Sequence, residues 1–371
     1  MSETASGSDR PSTGPTDEQP EIFRGAQSRD VIWAKADEDA RRKRDRLRRR
    51  KNVRRFLLYH LFLGPLMTLA IWMPRWFRRS FLRFVLEPIS FRATRKVSLS
   101  NLERVYGDEL SPADRQRVAR QVTRNFLSGL DENLEALRYG KERLLERIDD
   151  SQVRPVLDEM FEKSPRGFLG LTGHLGNWEL LGSWLGAQSG RELAGVVAKR
   201  NTNPFLNARI ERTRTTLGMP TYYREDPPGD IVKSLRRGKL VAIVPDQDVK
   251  SIGGLFVDFL GSKAYTPTGP ARLALTADVP IVCGGLIRTG DGRFRIEFEE
   301  PIWPDRKAPR EQEIERLTQA WSEVLERLIR RHPEQWAWFH ERWKTTPEKL
   351  LERGRGQARI AEAQRPENSD S

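Results

Sequence analysis

Histidine is scarce in this chain, with four in 371 residues at positions 60, 174, 332 and 340. One of them stands where chemistry is often done. Residues 167–172 form a short apolar run of strand length behind Pro165, and the chain then turns through Gly173 and Gly176 into an apolar stretch that opens at Trp178 and reads as a helix. His174 falls in the turn and Glu179 in the first helical turn. On one continuous helix, residues five apart face directions about 140° apart, so a shared site requires the junction to lie between them. Where the two meet, the carboxylate fixes which imidazole nitrogen carries the proton and leaves the other free as a general base. That is the logic of a catalytic triad without its serine. A surface pair or a helix cap has the same spacing, so the surrounding elements must decide.

Those elements read as alternating strands and helices. After the strand before His174 come a strand over 193–198, a helix over 204–217, a strand near Thr221, a helix over 231–236 and a strand over 240–245. A helix over 268–276 and strands over 279–287 and 294–299 follow, the last two joined by a Gly-Asp-Gly hairpin turn at 290–292. This alternation predicts an α/β fold with a mostly parallel sheet flanked by helices, closed by the hairpin at one edge. In such sheets ligands sit beyond the carboxyl ends of the strands. His174 follows one strand, Lys199 and Arg200 the next, and Asp246-Gln247-Asp248 a third. Lys199, Arg200, Arg212 and Arg214 can hold a phosphate, or they can form a solvated face. Thr268-Gly269 enters a helix whose first N–H groups either bind an anion or are simply capped. Trp336, Trp338, Phe339 and Trp343 surround His340 and Arg342, as core, as an acyl groove or as a membrane contact.

Five blocks in order resemble the bacterial lipid A late (lauroyl/myristoyl) acyltransferases and the related lysophospholipid acyltransferases. They are Gly173 to Glu179, Asp246-Gln247-Asp248, Phe256 to Gly261, Thr266 to Ala271 and Pro333 to Trp338, within a match over about 101–344. The resemblance implies a glycerolipid-acyltransferase-like α/β domain with His174 and Glu179 catalytic. It implies a substrate site drawn from Lys199, Arg200, Asn203, Arg212, Arg214, Asp246, Gln247, Asp248, Thr268 and Gly269. The implied partners are an acyl-acyl carrier protein or acyl-coenzyme A donor, a phosphorylated lipid acceptor and a membrane. Neither cofactor nor metal is expected: there is no HExxH element and no Cys-His cluster, although carboxylate-rich metal sites stay open. Cys283 falls in an expected strand and no Gly-x-Ser-x-Gly elbow occurs, so direct transfer without an acyl-enzyme is expected.

The single cysteine excludes an internal disulfide framework. The net charge of +13 invites a nucleic-acid reading, yet residues 41–55 carry eleven basic side chains and one acid, so the rest of the chain is close to neutral. An apolar stretch without charge comes next at 56–73, about 27 Å long as a helix and close to the hydrocarbon thickness of a bilayer. Gly64-Pro65 in its middle predicts a kink or a re-entrant segment. Residues 74–91 then interleave aromatic and arginine side chains, suited either to the headgroup level or to packing on the domain. The division expected is a tail at 1–55, an anchor and interfacial helix at 56–91, the acyltransferase domain at 92–350 and a second tail at 351–371. The expectation is an inner-membrane O-acyltransferase whose catalytic domain faces the cytoplasm. The rivals are a nucleic-acid-binding protein, a non-catalytic scaffold and a fatty-acid-releasing hydrolase.

Overall fold

The computed structural model describes residues 53–352, apart from positions 54, 58, 164, 250, 251 and 291. Nearly all of both expected tails, with most of the basic block, lies outside the described residues. Two compact units are found, residues 1–62 and 63–371. In the first, the described residues are helical and Phe56, Leu57, Leu61 and Phe62 are exposed. The second carries the sheet and the site.

Its amino-terminal part is helical. Helix α1 (Gly64–Trp72) has Pro65 in its first turn, where a missing N–H costs no intrahelical bond, and a π-helical turn at Tyr59–Leu63 precedes it. Helix α2 (Arg75–Phe81) passes through a second π turn (Leu82–Leu86) into α3 (Glu87–Tyr106). Helix α4 (Pro112–Tyr139) starts at a local signal, Ser-Pro-x-Asp: Ser111 Oγ accepts the Asp114 N–H at 3.1 Å, with Pro112 in the first helical position. Part of the aromatic and arginine segment packs on the domain. Arg78 is buried and paired with Asp131 of α4, and Arg79 reaches the same carboxylate at 3.1 Å, whereas Trp76 and Phe84 remain 72% and 76% exposed.

The sheet runs in the order β1 (Ile148–Asp149), β9 (Phe294–Phe298), β8 (Ile281–Arg288), β2 (Leu169–Leu171), β5 (Leu240–Ile243), β3 (Leu193–Ala198) and β4 (Thr221–Tyr223). All neighbouring pairs are parallel except β8 with β9. The hairpin is therefore not the edge, because the two-residue β1 pairs outside β9. Ordinary crossovers connect the strands: α5 (Glu142–Leu145) and α6 (Arg154–Lys163) before β2, then α7 (Trp178–Gln188), α8 (Pro204–Thr216), α9 (Gly229–Arg236) and α10 (Gly269–Ala277). Two further elements are not expected from the sequence pattern: a separate antiparallel hairpin, β6 (Gly254–Phe259) with β7 (Ser262–Pro267), and the long α11 (Arg310–Arg331).

Strand alternation divides the interior in two. Leu169, Leu171, Val241, Ile281 and Cys283 pack with α9, α10, α11 and the β6–β7 hairpin. Phe168, Leu240, Val282, Ile296 and Leu193 point to the other face, against α6 and α7. Trp336 and Trp338 are fully buried in the first cluster, so the aromatic block is core.

Candidate active site

Strands β2 and β5 are neighbours in register, Leu171 opposite Ile243, so the loops leaving their carboxyl ends arrive at the same place. His174 comes from one and Asp246 from the other. His174 Nδ1 lies 2.7 Å from Asp246 Oδ1, and the His174 backbone N–H donates to Oδ2 at 2.7 Å. Trp336 Nε1 also donates to Oδ2, at 2.8 Å, so the carboxylate is held from three sides. The turn that presents His174 is as tight as its glycines require. Gly176 sits at φ +60°, and a Cβ there would stand 1.9 Å from the Leu286 carbonyl oxygen. The Gly176 N–H donates to the Gln335 carbonyl, and the Ala337 N–H donates to the carbonyl of His174.

Burial works against charge on the imidazole, but the neighbouring Asp246 carboxylate outweighs it and raises the His174 pKa above the ordinary histidine value. Burial likewise opposes charge on Asp246. The His174 ring and the N–H donors of His174 and Trp336 prevail and hold its carboxyl below the usual carboxylate range. An ionised Asp246 fixes the proton on Nδ1, which leaves a lone pair on Nε2. That nitrogen faces the Gln247 side-chain nitrogen at 3.2 Å, which is also 3.2 Å from His340. The His174 and His340 rings are 4.8 Å apart. Burial and the nearby His174 push the His340 pKa down to about 4, so His340 is neutral at ordinary pH.

Glu179 is not the partner of His174. It lies in the first turn of α7 and accepts a two-point contact from Arg214, at 3.1 and 2.5 Å. Burial opposes the Arg214 charge, yet the Glu179 carboxylate raises its pKa. The expected orienting carboxylate is therefore replaced by Asp246. No spacing motif could reveal this, because 72 residues separate the pair; adjacency of β2 and β5 is the information required. His340, which the sequence places within the aromatic block, joins the site from the far end of the chain.

A cavity of about 770 Å³ opens beside His174. Of the residues assigned to the site from the sequence, Glu179, Lys199, Arg214, Gln247 and Gly269 line it. Arg200, Arg212 and Asn203 do not. Arg200 stacks 3.8 Å over the Tyr223 ring and pairs with Asp226. Arg212 is exposed, two residues and so more than half a helical turn from Arg214. Asn203 caps α8, accepting the Phe205 and Leu206 N–H groups. Asp248 is occupied by Thr345, through its N–H at 2.6 Å and its hydroxyl at 2.7 Å, and Thr268 Oγ1 donates to the Gly253 carbonyl. On the α7 side the cavity is apolar, between Phe168, Gly170, Val196, Ala242 and Val282 of the sheet and Leu181 and Leu185 of the helix. Cys283 is buried in β8 with its thiol pKa pushed far up, so no thiolate nucleophile stands here. Among the described residues no cluster of metal-ligating side chains occurs.

A histidine–aspartate pair at the carboxyl end of a parallel sheet, beside a cavity with an apolar interior and charged side chains of both signs at its mouth, is suited to acid–base chemistry on lipid-like substrates. The family model for bacterial lipid A biosynthesis acyltransferases matches residues 46–345, and the chain belongs to that family. It is 29% identical over 260 residues to the lipid A biosynthesis lauroyltransferase of Escherichia coli, covering 68% of this chain and 80% of that protein. To the phosphatidylinositol mannoside acyltransferase of Mycolicibacterium smegmatis it is 27% identical over 261 residues, covering 66% and 77%. The protein is an acyltransferase, with an acyl donor and a lipid acceptor.

Proposed function

We propose that the protein transfers a fatty acyl group from a thioester carrier, acyl carrier protein or coenzyme A, to a hydroxyl of a phosphorylated glycolipid such as a lipid A precursor, at the cytoplasmic face of the inner membrane. The observation that carries this reading is His174, held through Nδ1 by Asp246 with Nε2 as its lone-pair nitrogen, beside an apolar cavity. The Gln247 side-chain nitrogen, 3.2 Å from Nε2, marks where an acceptor oxygen would sit. His174 takes the hydroxyl proton as that oxygen attacks the thioester carbonyl. The C–S bond then breaks and the leaving thiolate receives the proton back from His174, so the site returns to its starting state. Asp246 keeps the tautomer and supports the transient imidazolium. The Gln247 amide, displaced from His174 by the acceptor, is the nearest donor for the developing oxyanion.

The acyl chain is assigned to the α7 side of the cavity, and the acceptor phosphate to the mouth, where Lys199 lies with Arg214 and Arg224, the latter two paired with Glu179 and Glu225. Ala242 lies on the sheet floor beneath α7. An Ala242→Phe variant should turn over shorter acyl donors in preference to long ones, measured as kcat/KM across a donor series. An unchanged chain-length profile would remove the assignment.

Membrane attachment is part of the proposal. The helical stretch Arg55–Trp72 is long and apolar enough to cross a bilayer by length and composition, and none of it is buried. The exposed Trp76, Phe77, Phe81 and Phe84, interleaved with arginines, suit the headgroup level.

The alternative acceptors, a lysophospholipid or a phosphoglycolipid other than lipid A, share the same chemistry. Mass spectrometry of lipids from cells with and without the protein names the acceptor through an acyl-sized mass difference. No such difference, together with free fatty acid release by the purified protein, would make it a hydrolase.

A further inference from the structure

The turn that carries His174 ends at Asn177, and there it is held by a chain of buried polar contacts that the chemistry at His174 does not use. Asn177 is 3% exposed and divides its side-chain amide between two elements. Its Oδ1 accepts the Leu180 N–H at 3.1 Å and so caps α7, while its Nδ2 donates to Glu132 Oε2 of α4 at 2.8 Å. Glu132 is in turn gripped by Arg288 at the end of β8. The Arg288 Nε donates to Oε1 at 3.2 Å and Nη2 donates to Oε2 at 2.6 Å. Both side chains of this two-point ion pair are only 13% exposed. Gln335 completes the chain. Its side chain accepts the Arg288 N–H at 2.8 Å and donates to the Arg288 carbonyl at 3.0 Å, and its own carbonyl accepts the Gly176 N–H at 3.0 Å. The contacts thus leave the turn at Asn177 and return to it at Gly176.

Asp246 stands on a different loop, after β5, so the 2.7 Å contact between His174 and Asp246 joins two separately mounted loops. Its alignment depends on both mounts. Resting on the general-base reading above, we infer that Glu132 and Arg288 are positioning residues for acyl transfer, acting through Asn177 to keep the His174 ring aligned on Asp246. Neither of them lines the cavity beside His174, so neither touches substrate there. Removing one charge of the pair leaves the other buried and uncompensated, which loosens the anchor at Asn177. The consequence falls on rate rather than affinity, because a shift of about 1 Å at the reacting atoms can lower turnover on the order of a hundred-fold.

The test is a double-mutant cycle in the full chain. Asn177→Asp keeps the oxygen that caps α7 but sets a second carboxylate against Glu132. Adding Glu132→Gln returns a donor to the pair, with the hydrogen bond reversed and the total charge restored. Two quantities are read: kcat and KM with soluble donor and acceptor analogues, and the downfield proton resonance of the His174 Nδ1–H, assigned by its absence in His174→Ala. Asn177→Asp should lower kcat roughly ten- to a hundred-fold with both KM values little changed, and should weaken that resonance. The double variant should recover most of both losses. If Asn177→Asp does not fold, Glu132→Gln alone is read on the same two measures and should lower both. Asp131→Asn, the neighbouring buried carboxylate of α4 whose partners are Arg78 and Arg79, should change neither. Losses that simply add in the double variant, a wild-type resonance in folded Asn177→Asp, or an equal loss in Asp131→Asn would each overturn the inference. Failure of wild type to transfer any acyl group would instead refute the acyltransferase reading, and the resonance would still decide the positioning role because it needs no turnover.

Discussion

An imidazole acts as a base only while its Nε2 carries a lone pair, and at this site that condition is set by Asp246. The Asp246 carboxylate, buried and held by three N–H groups, keeps the Nδ1 proton in place. Replacing it by an amide removes the charge and permits the wrong tautomer, so Asp246→Asn should lower kcat by roughly 10²–10⁴-fold in a folded protein. Because the carboxylate raises the His174 pKa, the acid limb of the wild-type pH–rate profile should lie above the ordinary histidine value, and Asp246→Asn should move it down. Glu179→Gln, which loosens Arg214, should shift that limb much less. Equal shifts in the two variants would return the orienting role to Glu179. The same pair carries a stability signature. A raised folded-state pKa stabilises fully below the unfolded histidine value, and that contribution is lost as pH rises through the folded value. His340 acts oppositely. Its folded pKa of about 4 means the unfolded chain takes up the proton first, so stability falls as pH drops from about 6.5 toward about 4. A His340→Phe variant should lose less stability over that window in denaturant titrations at stepped pH; an identical loss would show that His340 is not buried in its neutral form.

At the scale of elements, the turn between β2 and α7 couples the fold to the site. Gly176 has a positive φ and packs against the Leu286 carbonyl, so Gly176→Ala must displace the turn or β8. It should cost about 2–4 kcal/mol, read from denaturant midpoints, and reduce activity with it. Gly269→Ala, where a Cβ meets nothing, is the control and should be nearly neutral in stability. This turn is legible in the sequence, since a strand-length apolar run, two glycines and a helix start are local signals. The crossover strands and the Ser111 cap are legible for the same reason. The β6–β7 hairpin is not, because its strands pair only with each other and carry Gly254 and Pro267 at the ends. The partner of His174 is hidden because strand order is a tertiary fact. An aspartate shortly after an apolar strand is the available sign, and by itself it fits substrate binding as well as orientation of a histidine. The arginines mark a second limit: type and spacing indicate what a cation can bind, whereas Arg200 over Tyr223 and Arg214 on Glu179 show which partners the fold supplies.

On the scale of the whole molecule, charge and apolar surface are segregated. The basic block at 41–55, with eleven basic side chains and one acid, precedes an exposed helical stretch. Full-length protein should therefore float with anionic vesicles, and replacing Trp76, Phe77 and Phe84 by serine should weaken flotation while leaving turnover of soluble donor and acceptor analogues unchanged. Flotation equal to wild type would place attachment elsewhere. Burying Arg78 against Asp131 ties the segment to α4, so these exposed rings are presented from a fixed base.

The most direct test of the central claim is acyl transfer by His174→Ala, assayed with an acyl thioester donor and a phosphoglycolipid acceptor and quantified as acylated lipid by mass spectrometry. Circular dichroism and thermal unfolding must first show that the variant is folded. Loss of the general base should lower kcat by about 10²–10⁴-fold with the KM of the donor little changed. Turnover within a few fold of wild type in the folded variant would contradict the account.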